Sequence, residues 1–141
     1  MEFFDENKIQ TLKHLYKINL INSCAGYKSA NLISTKSKDG FENVAVFSSV
    51  THVGSNPALL GLFIRPTTVI RNTYNNIKST GFYTINTIHE RIIEDAHHTS
   101  AKYDATVSEF NVTNLKSEYK NDFFAPYVEG SPIQIAMQFV E

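Results

Sequence analysis

Arginine guanidinium forks and serine or threonine hydroxyls are side chains suited to holding a phosphate ester, and the start of a helix adds free N–H groups and a favourable dipole. Such residues recur in one stretch of the chain: Ser48, Ser49 and Thr51, then Arg65, then Arg71 and Thr73. They converge if the first three follow a strand, Arg65 ends another, and Arg71 and Thr73 occupy the opening turns of the next helix. A plainer reading fits the same spacing, because Ser and Thr at strand ends and helix starts also serve as turn and capping residues.

Other chemistries find less support. His97 and His98 are adjacent, so on a helix they point about 100° apart and do not share one metal. His89-Glu90 begins like a zinc-protease motif, but position 93 is Ile and the next histidines come too late. None of Ser48, Ser49, Ser55 and Ser131 sits on the glycine-flanked elbow of a serine hydrolase. Gly-x-Gly-x-x-Gly and Walker loops are missing as well. The single cysteine, Cys24, cannot form an intramolecular disulfide and reads as a small buried residue between a helix and a strand. No metal ligand set and no catalytic acid, base or nucleophile is assigned.

The elements that must position these groups follow from periodicity. Residues 5–22 have an amphipathic helical spacing that breaks into two, with Asp5 as cap. Ser29–Thr35 and Asn43–Ser49 read as strands joined through Lys38, Asp39 and Gly40, a hairpin signal. After a short loop, Ala58–Ile64 is expected as a buried third strand. Thr67 or Thr68 should cap a helix whose inner stripe is Ile70, Thr73, Tyr74 and Ile77, ending at Gly81. Phe82–Ile88 reads as a strand, His89–His98 as a helix presenting Ile92, Ile93 and Ala96, and Ile133–Val140 as a last strand. This order predicts an antiparallel barrel with helical insertions.

Length and charge bound the answer. The 141 residues, 42% hydrophobic and 19% charged, suit one globular domain, residues 1–141. Thirteen basic and fourteen acidic side chains are interspersed, which argues against a nucleic-acid surface. No run approaches the roughly 20 apolar residues of a membrane span, and the acidic N-terminus is unlike a signal peptide, so a cytoplasmic protein is expected. The chain stops just after an alternating apolar run, which leads us to expect that one or two further strands are missing.

Asn43-Val44-Ala45-Val46-Phe47-Ser48-Ser49, with Asn56-Pro57 after it, resembles a pattern of the flavin reductase-like family. Arg65-Pro66, Arg71-Asn72-Thr73-Tyr74-Asn75-Asn76-Ile77 and Gly81-Phe82-Tyr83-Thr84-Ile85-Asn86 follow in that family's order. The stretch from His97 to Asp104, with Ser108-Glu109-Phe110 behind it, matches as well, so the resemblance covers residues 20–140 or so. It implies a mainly β fold with helical insertions, the FMN-binding split β-barrel. It also implies a homodimer with FMN between subunits and, in many members, hydride transfer from NADH or NADPH to flavin. Carried over, Phe47, Ser48 and Ser49 would line the isoalloxazine and ribityl chain, and backbone amides from Ser48 through Val50 to Thr51 would meet the ring's polar edge. Arg65, Arg71, Asn72 and Thr73 would serve the phosphate, with Ser100, Ala101 and Lys102 near the same cofactor. The expected activity is that of an NAD(P)H-dependent FMN oxidoreductase. The rivals are a non-catalytic flavin-binding module, a dimeric structural domain, and a related barrel enzyme such as a pyridoxamine-phosphate oxidase.

Overall fold

The computed structural model describes residues 3–66, 68–104 and 106–140. Its centre is a four-stranded antiparallel sheet in the order β2-β1-β5-β8, built from β1 (Asn31–Lys36), β2 (Glu42–Phe47), β5 (Phe82–Thr87) and β8 (Gln134–Gln138). The expected β1–β2 hairpin is present, and its turn closes through Gly40 at φ +91°, a backbone region that suits glycine.

Side chains alternate across this sheet, so each strand feeds two cores. Ile33, Tyr83 and Ile85 face one side and pack with Ile77; Leu32 and Val44 face the other and pack with Ala96, Phe110, Leu115 and Val128. The first side is covered by α3 (Asn72–Thr80) and by a hairpin of β3 (Val50–Ser55) and β4 (Ala58–Leu62). The second is covered by α4 (Ile93–His98), α5 (Glu109–Val112) and the short pair β6 (Ser117–Glu118) and β7 (Tyr127–Val128). Two helices, α1 (Glu6–Thr11) and α2 (His14–Ser23), precede the body. They are separated by the extended residues Leu12 and Lys13, and Asp5 Oδ1 accepts from Lys8 N at 2.7 Å, so the broken helix and its cap are as expected.

Several expectations are corrected. The stretch after Ser49 is strand β3 and not a loop, because Val50, Thr51, His52, Gly54 and Ser55 pair with β4 around a bulge at Val53. β4 is only half-buried, since its hairpin is two-stranded and lies at the periphery. Thr68 does not cap α3: the extended N-cap residue is Arg71, with no side-chain cap, while Thr67 lies outside the described residues. Ile70 precedes the helix and is 83% exposed, so the inner stripe is Thr73, Asn76 and Ile77. Gly81 ends α3 at φ +79°, as expected. His89–His98 divides into a 3-10 turn at Glu90–Ile92 and α4, with Ile93 turned to solvent. Cys24 is exposed, because the segment around it touches no core.

Candidate functional site

The edge strand β2 organises the residues singled out from the sequence. Backbone N–H groups alternate sides along a strand, and those of an edge strand that face away from the sheet must find other partners. In β2 these belong to Glu42, Val44 and Val46, of which the last two are held by side chains. The Val44 N–H donates to Glu109 Oε2 at 3.0 Å, and the Val46 N–H donates to Thr99 Oγ1 at 2.9 Å. Thr99 in turn donates to the Ala96 carbonyl at 2.7 Å, which locks it to the end of α4. The segment 100–102 therefore leaves α4 from a point fixed beside Val46, one residue before Phe47.

Three further ties close the arrangement. Ser49 Oγ donates to the Phe63 carbonyl at 2.7 Å, which fastens the turn after β2 to the chain just past β4, two residues before Arg65. Arg71 Nε donates to the Pro66 carbonyl at 3.1 Å and closes the link between β4 and α3. The first turn of α3 is anchored on β2 by Asn43 Nδ2, which donates to Thr73 Oγ1 at 3.1 Å. The segments 47–51, 63–66, 71–73 and 99–102 are thus all tied to β2 or to one another, although far apart in sequence.

The individual side chains divide into two groups. Phe47 and Val50 are half-buried against the Ile33–Tyr83 core, and Thr73 is buried with its hydroxyl taken by Asn43. Ser49 and Ser100 donate to the carbonyls of Phe63 and His97. Ser48, Thr51, Arg65, Ala101 and Lys102 are exposed, while Arg71 and Asn72 are partly so. Among the described residues no carboxylate pairs with Arg65, Arg71 or Lys102. The start of α3 carries no side-chain cap and no acidic residue in its first turn, so its leading N–H groups and these cations suit an anion. The donor set fits the phosphate of a nucleotide-like cofactor.

Sequence reasoning passed over Asn43, Thr99 and Glu109 as working groups, though all three stood in the stretches compared with the family. Glu109 is 6% exposed, and burial pushes its carboxyl above the usual carboxylate value, partly opposed by the Val44 N–H. A glutamate next to Phe in a short polar segment carries no local signal that it will reach an edge strand 65 positions away.

A large groove lies elsewhere. It measures about 1060 Å³ and opens between β3–β4, α3 and β8, lined by Leu60, Leu62, Tyr74, Tyr83, Met137 and Phe139 among others, and by none of the residues predicted to bind cofactor. Its lining is mostly apolar, with His52 and Lys78 as its basic side chains and no arginine, which suits an apolar or aromatic group better than a phosphate ester.

Comparison with known proteins agrees with this architecture. The model of the family described as flavin reductase like domain matches residues 27–141. A solved structure assigned as a flavin reductase with a split barrel domain, from Shewanella frigidimarina, superposes with a TM-score of 0.95 at 44% identity, covering 100% of this chain and 70% of that one. The FMN-binding domain of a flavin reductases-like enzyme from Shewanella baltica shares the fold at a TM-score of 0.71 and 18% identity, covering 81% of this chain and 58% of that one. An uncharacterized protein of Methanothermobacter thermautotrophicus is 34% identical over 98 residues, 70% of this chain and 45% of its own length. The chain thus spans about half the length of that curated relative. The antiparallel sheets with few helices form a split barrel, as expected.

Proposed function

The chain belongs to the flavin reductase-like domain family, and from that membership we propose that it binds FMN at the turn following β2 and serves a flavin-dependent oxidoreductase reaction. The observation that carries the reading is the gathering of 47–51, 65, 71–73 and 100–102 around β2, with unpaired cations beside an uncapped helix start. Arg65, Arg71 and the leading N–H groups at Asn72 would hold the phosphate. The exposed Ser48 and Thr51 and the backbone between them would meet the polar parts of the ring and ribityl chain, with Lys102 adding charge from the other side. Thr73 would contribute by anchoring α3 on Asn43.

When bound, the flavin ring supplies the hydride-accepting centre, and NADH or NADPH is the proposed donor. The protein's own residues bind and orient; no acid or base is required of them. We further propose a cytoplasmic homodimer. Exposed apolar side chains support the association: Leu15, Tyr16, Ile18 and Ile21 of α2 are 41–75% exposed. Among the described residues no helix is long and apolar enough to cross a membrane.

The test is the visible absorption spectrum of protein incubated with FMN and desalted, for wild type and Arg71→Ala. Wild type should keep the flavin spectrum and Arg71→Ala should weaken binding about tenfold, the cost of one charge-assisted contact of 1–2 kcal/mol. Bleaching on anaerobic addition of NADH or NADPH supports the reductase, whereas retained but unreactive flavin favours a binding module. Colourless wild type at saturating FMN refutes the flavin reading.

A further inference from the structure

We propose that Thr99 and Glu109 are positioning residues for the cofactor site, acting as side-chain substitutes for a missing neighbour strand that hold the end of β2 and the segment 100–102 in fixed register. The inference rests on the flavin reading above and adds to it two residues that touch no cofactor.

The geometry carries the argument. Among the described residues β2 has only β1 as strand partner, so its outward N–H groups would be free to water or to shifts of the strand. Instead, Val44 is bonded by a carboxylate from α5 and Val46 by a hydroxyl from the end of α4. Both acceptors are buried: Thr99 is 3% exposed and Glu109 6%. Two independent elements therefore read the same edge at alternate residues, as a strand would.

The placement of these bonds gives them a role beyond stability. Val46 immediately precedes Phe47 and Ser48, and Thr99 immediately precedes Ser100, Ala101 and Lys102. The Val46–Thr99 hydrogen bond is thus the direct link between two proposed halves of the site that are otherwise 53 positions apart. Thr99 is held from behind by its own bond to Ala96, so its oxygen is aimed and its proton committed. Val44–Glu109 repeats the tie two residues back and stops the strand from pivoting about Val46.

FMN binding separates positioning from mere stability. The dissociation constant is measured by quenching of flavin fluorescence on the full chain, alongside cofactor-free thermal midpoints and amide exchange at Val46. Thr99→Val should raise the FMN dissociation constant about tenfold, as expected when one bond fixing the two halves is lost, while Thr99→Ser restores it. Thr84→Val is the control: on β5, with β1 between it and β2, it removes the buried bonds of Thr84 Oγ1 to Pro126 O and from Asn86 Nδ2 without touching the outward N–H groups of β2, and should lower the midpoint without changing affinity. Inserting one glycine between Thr99 and Ser100 keeps both edge-bonding side chains, breaks the turn bonds of Ser100 and Ala101 to His97 and His98 so that 100–102 shift, and should weaken binding even if Thr99→Val does not fold. Unchanged affinity in Thr99→Val or in the insertion overturns the inference while leaving the flavin reading intact. Wild type that binds no FMN sinks both, and then Val46 exchange in Thr99→Val reports only on the hydrogen bond.

Discussion

Glu109 shows how much one buried side chain can be asked to do. Its carboxyl is held above its ordinary value of 4.5 by burial, so the folded chain binds this proton more tightly than the unfolded chain. The stability associated with that proton is full below the ordinary value and is lost as pH rises through the folded value. Wild type should therefore lose stability relative to Glu109→Gln as pH is raised from 4 towards 7, as read by urea unfolding of both proteins; parallel profiles would contradict the assignment. The residue scale is also where the sequence was hardest to read. Ser48, Ser49, Thr51 and Thr73 share a chemistry, yet Thr73 is consumed by Asn43 and Ser49 by Phe63, whereas Ser48 and Thr51 face solvent. Spacing records which groups a segment offers, and partners that far away in the chain decide which remain available.

Elements were more legible than partners, because their signals are local. Alternation and Asp39-Gly40 announce the β1–β2 hairpin, and Gly81 announces the end of α3. The β3–β4 hairpin was half missed: Gly54 and Asn56-Pro57 resemble a loop, and the register shift between His52 and Gly54 breaks the alternation that would have exposed β3. That hairpin depends on Gly61, which faces Thr51 across the pair. A Cβ there would lie 3.1 Å from Val53 Cγ2 and 3.3 Å from Thr51 Cγ2. Gly61→Val should cost about 1–3 kcal/mol by overpacking, measured by denaturant unfolding. A variant as stable as wild type would mean that the two strands separate freely.

At the scale of the whole molecule, the N-terminal arm and the body are two kinds of structure. Neither α1 nor α2 buries a residue, and Leu15, Tyr16, Ile18 and Ile21 of α2 are exposed. Removal of residues 1–24 should leave the thermal midpoint within a few degrees of wild type, since less than about 1 kcal/mol of packing is lost, while shifting a dimer towards monomer in light scattering. An unchanged mass would remove the arm from the proposed interface. The antiparallel architecture could be read from the order of strands, but the separation of arm from body could not: amphipathic spacing predicts a helix with an apolar face and is silent on what covers it.

The two margins of the central sheet differ in a way that governs how it meets other chains. Along β2, side chains of Glu109 and Thr99 occupy the outward amides of Val44 and Val46, so an intruding peptide finds no ladder to join there. Along β8, Thr87 N bonds Ile133 O and Phe139 N bonds Gly81 O, which turns the backbone of Gln134, Ala136 and Gln138 the other way. Among the described residues a strand that joins this sheet, whether from the same chain or another, is therefore offered backbone partners along β8. That polarity disfavours the two-ended stacking by which sheets with both edges free grow into fibres, because the β2 margin is already taken by side chains of its own chain.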